Sequence, residues 1–216
     1  MTSNLLHGGA DVDGYREVLD RVEPDVVVTQ ELGHGYVEVL TERFPNHSLH
    51  PADDFTGRGI ATHLDAEFGS IAMPVRPGTS AILDVAGQQW DLAGVHLVNP
   101  IDFPWWTSVK VRGEQLQAIE QWGAKRSGQV LIAGDFNASP RWPAYRFMAE
   151  RWTDLAAEHA SASGRRPEPT WAWRPGWRRM LRIDHVFGSG LVATDSEIVP
   201  MRGSDHAAVW VDVVEG

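Results

Sequence analysis

One short segment, VLIAGDFNASP at residues 130–140, places the strongest constraint on what this chain folds into. Its first four residues are apolar without alternation, which predicts a central strand covered on both faces. Gly134 lets the backbone leave the sheet, and residues 137–140 have the composition of a turn. Asp135 and Asn137 therefore lie at the C-terminal end of a buried strand, where an extended chain points both side chains the same way. They either cap the turn through local hydrogen bonds or belong to a functional site.

The length and composition fit one domain. The 216 residues are 43% hydrophobic, which is enough for one sizeable core, and no composition shift marks a second domain. The formal charge of −10 argues against a cationic nucleic-acid coat, but an enzyme that collects carboxylates around a metal is acidic overall, so a phosphate substrate is not excluded. The chain has no cysteine, so it has no disulfides and no thiolate ligands. We see no membrane-spanning apolar run and no signal-peptide pattern, so we expect a soluble protein of unknown location.

Hydrophobic periodicity predicts more strands than helices. Helices are expected at residues 11–22, 36–44, 111–122 and 144–150. Strands are expected at residues 26–29, 60–63, 70–73, 80–85, 89–97, 130–133, 181–187 and 207–213. Residues 155–180 are polar and are expected to be irregular. Strands alternate with helices in the first half and form hairpins in the middle, which favours two packed sheets with helices outside them.

Polar side chains recur where the apolar strands end. They are Asn4, Glu31, His96, Asp135, Asn137, Asp184, Asp205 and His206. So many polar strand ends in one small domain are hard to explain as independent caps, and we interpret them as one site. Carboxylates and an amide suit a hard divalent cation, which takes oxygen ligands. Two histidines can move protons or bind phosphate oxygens.

The segments QE, GDFN and SDH, in this order and at these separations, resemble the endonuclease/exonuclease/phosphatase superfamily of DNase-I-like enzymes. The phrases NLLHG and RIDHVF are most similar to its short, uncharacterised bacterial members. The resemblance covers nearly the whole chain and implies one α+β catalytic domain over residues 1–216. The implied fold is a four-layer α/β/β/α sandwich of two mostly antiparallel sheets. Only three residues precede Asn4, so we expect either a short first strand or an excised piece of a longer protein.

The resemblance implies a metal-assisted attack of water on phosphorus. Glu31 would be the principal ligand of Mg²⁺ or Mn²⁺, with Asn4 and Asp205 completing or supporting the shell. Asp135 would orient and deprotonate the attacking water. Asn137 would hold that water or a phosphate oxygen.

The histidines have implied roles as well. His206, aligned by Asp184, and His96 would stabilise the pentacovalent phosphorus or protonate the leaving oxygen. A carboxylate beside an imidazole fixes its tautomer and favours its protonated form. Asn99, three residues after His96, is a candidate phosphate contact. DNase-like members place a glutamate behind the first catalytic histidine, and Glu67 is the candidate for that position.

Residues 165–182, which we call the Arg/Trp loop, are rich in arginine and tryptophan and contain one glutamate. This mixture binds phosphate backbones and stacks bases. The loop leads into the strand that carries Asp184, so we expect it at the rim of the site. The residues expected to contact substrate are Trp173, Trp177, Arg178 and Arg179. The alternative is that the arginines are a solvated surface and the tryptophans pack beneath their own loop.

Three functions remain open from the sequence. The first is a nuclease that cuts DNA or RNA, favoured by the Arg/Trp loop. The second is a phosphodiesterase or phosphatase for lipids or small molecules, favoured by Trp105 and Trp106, a pair expected on an exposed loop that could insert into a lipid interface. The third, and least favoured, is a binding module that has lost catalysis. We expect a monomer without an obligate protein partner, and membrane contact only through that tryptophan pair or an N-terminal segment.

Overall fold

A computed structural model describes all residues from 1 to 216. Its strands are β1 Thr2–Asn4, β2 Val26–Gln30, β3 Asn46–His50, β4 Arg58–Thr62, β5 Ala66–Ile71, β6 Gly78–Val85, β7 Gln88–His96, β8 Gln129–Asp135, β9 Thr153–Asp154, β10 Asp184–Ser189, β11 Leu191–Pro200 and β12 Ala207–Glu215. Its helices are α1 Val12–Val22, α2 Val37–Arg43, α3 Trp105–Gly123, α4 Pro143–Ala149 and α5 Leu155–Ala162, with 3₁₀ turns at Leu6–Gly8 and His34–Tyr36. None of the helices is both long and apolar enough to cross a membrane.

The strands form two six-stranded sheets. The first has the order β11-β12-β1-β2-β4-β3, and the second has the order β5-β6-β7-β8-β10-β9. Only β1 with β2 and β7 with β8 are parallel neighbours, and all other pairs are antiparallel. The prediction of two packed, mostly antiparallel sheets is confirmed.

Three hydrophobic clusters hold four layers together. The cluster between the sheets includes Val28, Ile60 and Leu92. A second cluster packs α1 and α2 against the outer face of the first sheet, around Leu19. A third packs α3 and α4 against the outer face of the second sheet, around Ile119. The order of layers is therefore helix, sheet, sheet, helix, as the family resemblance implied.

Some predicted elements were wrong or missing. Residues 155–180 are not wholly irregular, because α5 occupies the first eight and is capped by Asp154, whose Oδ1 accepts from the Ala157 N–H at 3.0 Å. The strand expected at residues 70–73 begins earlier, as β5. Strands β3, β9 and β11 were not predicted, since they lie at sheet edges and carry polar residues. Trp105 and Trp106 begin α3 and do not lie on a loop.

Candidate active site

The polar strand ends meet at one edge of the sandwich. His96 and Asp135 end the parallel strands β7 and β8 and lie side by side in register. Asp184 begins β10 directly opposite Asp135. Asn4 and Glu31 come from the ends of β1 and β2 in the other sheet. The edge opens into a cleft of about 440 Å³, lined among others by Glu31, His96, Asp135, Asn137, Asp205 and His206.

Asn4 joins the two sheets at the base of this cleft. Its Nδ2 donates to Glu31 Oε1 and to Asp135 Oδ2, each at 3.1 Å. Its Oδ1 accepts from the Leu6 N–H at 3.0 Å, which fixes the orientation of the amide. Because Asn4 is fully buried and donates to both carboxylates, it sets the separation of the two groups.

Asp135 is held as a carboxylate. Its Oδ1 accepts from the Asn137 N–H at 2.8 Å, and its Oδ2 accepts from Asn137 Nδ2 at 3.2 Å. Burial opposes ionisation, but the contact with His96 and the positive charge of His206 outweigh it and hold the pKa of Asp135 below its ordinary value. An ionised carboxylate in this position can accept a proton from water.

His206 is held as a cation. Its Nδ1 donates to Asp184 Oδ2 at 2.9 Å, and Thr170 Oγ1 donates to the same oxygen at 2.6 Å. Burial disfavours the charged ring, but the Asp184 carboxylate outweighs burial and raises the pKa of His206 to about 10. The other ring nitrogen, Nε2, lies 3.9 Å from Asp135 Oδ2. The cleft thus holds a proton donor and a proton acceptor facing each other.

Two carboxylates have oxygens that no hydrogen bond satisfies. Glu31 Oε2 and Asp205 Oδ1 are both buried and unpaired. His7 Nε2 approaches Glu31 Oε2 to 3.1 Å without hydrogen-bond geometry. Burial, followed by the charge of Glu31 among weaker effects, raises the pKa of Asp205 above its ordinary value. Unpaired carboxylate oxygens in one cleft suit a hard divalent cation, so the residues present fit a metal here.

A second cluster of potential ligands, Asp135, Asp184 and His206, has donor atoms within 4.8 Å of one another. We consider it a poorer metal site. His206 is protonated and donates to Asp184, so its Nδ1 has no lone pair to offer. Asp184 already accepts from Thr170 as well. This cluster is better described as a hydrogen-bonded chain in the same cleft as the unpaired carboxylate oxygens.

His96 has a cationic neighbour that the sequence did not reveal. Arg76 is buried, and its Nη1 lies 2.6 Å from His96 Nε2. Its Nη2 pairs with Asp102 Oδ2 at 2.9 Å. The guanidinium group of Arg76 is always ionised, so the permanent charge at this corner of the cleft belongs to Arg76. Glu67, expected behind His96, is instead exposed on β5 and makes no hydrogen bond to it.

The Arg/Trp loop reaches the cleft with only part of its length. Trp173 lines the rim and is 61% exposed, and Trp171 donates to Asp205 Oδ2 at 3.1 Å. Asn99 also lines the rim, where its Oδ1 accepts from the Ile101 N–H.

The other substrate contacts expected on this loop are not brought to the cleft. Trp177, Arg178 and Arg179 do not line it, because the chain turns outward around Gly176, whose φ is +77°. Arg179 lies 3.9 Å from Glu168 of the same loop. These three residues belong to the outer surface of the loop.

Comparisons with known proteins identify the family of this chain. The model of the Endonuclease/Exonuclease/phosphatase family matches residues 1–206, and the chain belongs to that family. No curated protein sequence matches it significantly.

Three of the similar solved structures illustrate the range of the fold. D. rerio TDP2 in complex with single-strand DNA product is 18% identical with a TM-score of 0.74, covering 94% of this chain and 91% of that chain. A Neisseria 3′ phosphatase, NExo, bound to a product DNA hairpin is 18% identical with a TM-score of 0.66, covering 93% of each chain. A Bacteroides thetaiotaomicron mannosyl-6-phosphatase is 16% identical with a TM-score of 0.64, covering 94% of this chain and 90% of that chain. At these identities the likeness concerns the fold.

Sequence reasoning missed the residues that support the site from outside the strand ends. They are His7, Arg76, Arg112, Thr170 and His185. Arg76 follows Val75, which has an unusual φ of +66°, in a loop with no recognisable motif. Thr170 and Arg112 lie in a loop and on a helix face, where the sequence offers no strand end to mark them. Only His185 carried a signal, since it follows Asp184 directly.

Proposed function

We propose that this chain is a divalent-metal-dependent phosphodiesterase that cuts nucleic acid by attack of water on phosphorus. As a family member it is expected to hydrolyse phosphate esters. The observation that carries the mechanism is the facing pair of Asp135, held ionised, and His206, held protonated, with 3.9 Å between their nearest charged atoms. Two groups whose environments push their pKa values apart are the usual mark of an acid and a base.

The protein's residues then divide the proton work. Asp135 accepts a proton from the attacking water, and Asn137 Nδ2 keeps the carboxylate oriented. His206 Nε2 donates to a phosphoryl oxygen or to the leaving oxygen while Asp184 keeps the ring in place. Arg76, beside His96, neutralises charge on the phosphate.

Glu31 and Asp205 would hold the metal, with Asn4 supporting Glu31. A Mg²⁺ or Mn²⁺ ion bound there supplies Lewis-acid polarisation of the phosphoryl oxygens. Both ions accept carboxylate oxygens as ligands, so the donor set does not select between them.

The rim favours nucleic acid as the substrate. Trp173 offers an exposed ring at the mouth of the cleft, where a base can stack. Arg174, the residue after it, is exposed as well. Two proteins with similar folds, TDP2 and NExo, were solved with DNA products.

A lipid or small phosphate ester is the second candidate. Trp105 and Trp106 are 71% and 60% exposed at the start of α3, and they form an apolar surface near the cleft. A mannosyl-6-phosphatase also shares the fold. A non-catalytic binding module is the least favoured, because the complete acid, base and carboxylate set would then have no task.

An activity panel with a chelator arm tests the proposal. The substrates are plasmid, single-stranded DNA, RNA, a lipid phosphodiester and a chromogenic phosphate ester. We expect chelator to abolish cleavage and Mg²⁺ or Mn²⁺ to restore it. Glu31→Gln should weaken metal binding and leave the unfolding temperature close to that of the wild type. Full activity in chelator would refute the metal assignment, and exclusive cleavage of the lipid or chromogenic ester would refute the nucleic-acid assignment.

A further inference from the structure

The turn that follows β8, residues 135–138, carries both Asp135 and Asn137 in an uncommon conformation. Asn137 has a φ of +46°, in the left-handed region that non-glycine residues rarely adopt. Gly134 just before it has a φ of +153°, and a Cβ there would lie 1.9 Å from the Val95 carbonyl oxygen. A strained turn persists only where its surroundings determine its shape. What holds this turn therefore matters for the position of the base.

Two buried side chains bind three successive carbonyls of this turn. Arg112 Nη2 donates to the Phe136 and Asn137 carbonyl oxygens, each at 3.2 Å. His185 Nε2 lies 2.9 Å from the Ala138 carbonyl oxygen and donates to it. Neither Arg112 nor His185 lines the cleft, so neither touches substrate. We call these contacts the carbonyl clamp.

Each member of the clamp is fixed from behind. Arg112 belongs to α3, and its Nη1 donates to the Val98 carbonyl. Arg182 Nη1 lies 3.0 Å from His185 Nδ1 and 2.6 Å from Asp154 Oδ2. His185 Nδ1 also lies 3.0 Å from Asp154 Oδ2. Because a carbonyl oxygen can only accept, the ring nitrogen that faces Ala138, Nε2, carries a proton.

We propose that Arg112 and His185 are positioning residues that hold the catalytic turn from two sides and so aim Asp135 at the attacking water. The inference rests on the proposed function, since it assigns these residues a purpose in that reaction. Arg112 and His185 make no hydrogen bond to Glu31, so we expect their loss to change metal affinity less than turnover. Hydrogen bonds that fix a base should act on turnover, because binding of the substrate uses other groups.

The first test compares two substitutions of His185. His185→Phe keeps a ring that packs against Phe136 and Tyr145 but removes the polar contacts of both ring nitrogens. His185→Gln retains one acceptor and one donor. We expect kcat to fall about 10-fold to 100-fold in the phenylalanine variant with KM within about threefold of wild type. The glutamine variant should recover a large part of the loss.

The second test uses Arg112→Ala, which leaves a hole the shape of the lost guanidinium group. Added guanidinium ion at low millimolar concentration should restore part of the lost kcat, and sodium ion should not. The control is Arg126→Ala, which removes an arginine between α3 and β8 that pairs with Asp91 at 2.7 Å and does not line the cleft. We expect Arg126→Ala to lose stability without losing kcat and without any response to guanidinium.

A third measurement does not depend on activity. Hydrogen exchange at the Asn137 amide, which is bonded to Asp135 Oδ1, should speed up at least 10-fold in the Arg112 and His185 variants. Amides of β12 should keep their wild-type rates. Unchanged exchange at residues 135–138, or equal losses of kcat in the Arg126 control, would overturn the clamp. If the wild-type protein cleaves no phosphate ester but exchange is still faster in the Arg112 and His185 variants, the clamp is retained and the proposed function is refuted.

Discussion

His206 and His185 each place Nδ1 about one hydrogen-bond length from an aspartate, at 2.9 Å from Asp184 and 3.0 Å from Asp154, yet the two regions differ in chemistry. The second nitrogen of His206 points into the cleft, whereas that of His185 is bound to the Ala138 carbonyl. Arg182 also supplies Asp154 with a positive charge, so His185 need not carry one. The difference lies in the second nitrogen: that of His206 faces a group in the cleft, whereas that of His185 holds a backbone carbonyl.

The largest effect should come from the group of His185, Asp154 and Arg182, none of which lines the cleft. Asp154→Asn leaves Arg182 buried without its counter-charge, so we expect a loss of about 3 to 5 kcal/mol in the free energy of unfolding. Burial raises the pKa of Asp154, but hydrogen bonding to His185 and the charge of Arg182 outweigh it and lower the pKa to about 2. The stabilisation is therefore present above the unfolded pKa of roughly 3.9 and is lost as the pH falls through 2. Denaturant unfolding from pH 2 to 7 measures this, and an unchanged pH dependence in the variant would argue against it.

Substitutions of Asp135 and His206, which face each other in the cleft, should instead have their main effect on kcat. We expect His206→Ala and Asp135→Asn each to lower kcat by roughly 10²-fold or more, the scale of losing a positioned acid or base. Asp135→Asn keeps the shape of the side chain, so its unfolding temperature should stay near that of the wild type, whereas His206→Ala should also lower it because Asp184 is then buried without a cation. Steady-state kinetics with parallel thermal melts decides the matter. Equal rates in variant and wild type would remove these residues from the mechanism.

The pair of His206 and Asp184 should make both stability and kcat depend on pH. The pKa of His206 is raised to about 10 from an unfolded value of roughly 6.5, so this pair stabilises the fold fully below pH 6.5 and loses that effect as the pH rises through 10. In Asp184→Asn the pKa of His206 should fall, and the alkaline limb of the kcat profile should move to lower pH. At neutral pH we expect about a 10-fold loss of kcat. An alkaline limb that does not move would mean that another group controls it.

The smallest effect on kcat should come from substitutions on the outer surface of the Arg/Trp loop. This loop makes hydrogen bonds to Asp184 and to Asp154. Thr170 binds Asp184 at one end of the loop and Arg182 binds Asp154 at the other, so substitutions between them leave both pairs intact. Replacing Arg178 and Arg179 with alanine should leave kcat unchanged and reduce the salt dependence of oligonucleotide binding by up to about two units of slope. A salt titration with Ca²⁺ in place of Mg²⁺ measures the slope. Identical slopes in both proteins would exclude the outer arginines from substrate binding.

The strand ends were predictable from the sequence because two simple signals coincide there. An apolar run that ends at Asp135 or begins after His206 marks the boundary of a strand. The polar residue at that boundary is then a candidate for a functional role. The supporting residues gave no such signal. Arg76, Arg112 and Thr170 acquire their roles only when distant segments meet, and their side chains are ordinary in their local sequence. Edge strands such as β3 were missed for a related reason, since one pairing partner and an exposed face impose little hydrophobic pattern.

The bridge made by Asn4 has a consequence for the molecule as a mechanical object. Glu31 and Asp135 belong to different sheets, and a single amide ties them together. The two halves of the catalytic apparatus therefore keep their spacing only while the sheets keep their alignment. A small displacement of one sheet relative to the other would break the hydrogen bonds of Asn4 without unfolding either sheet. We therefore expect the proposed hydrolysis to be lost before the fold is lost when the alignment of the sheets is disturbed.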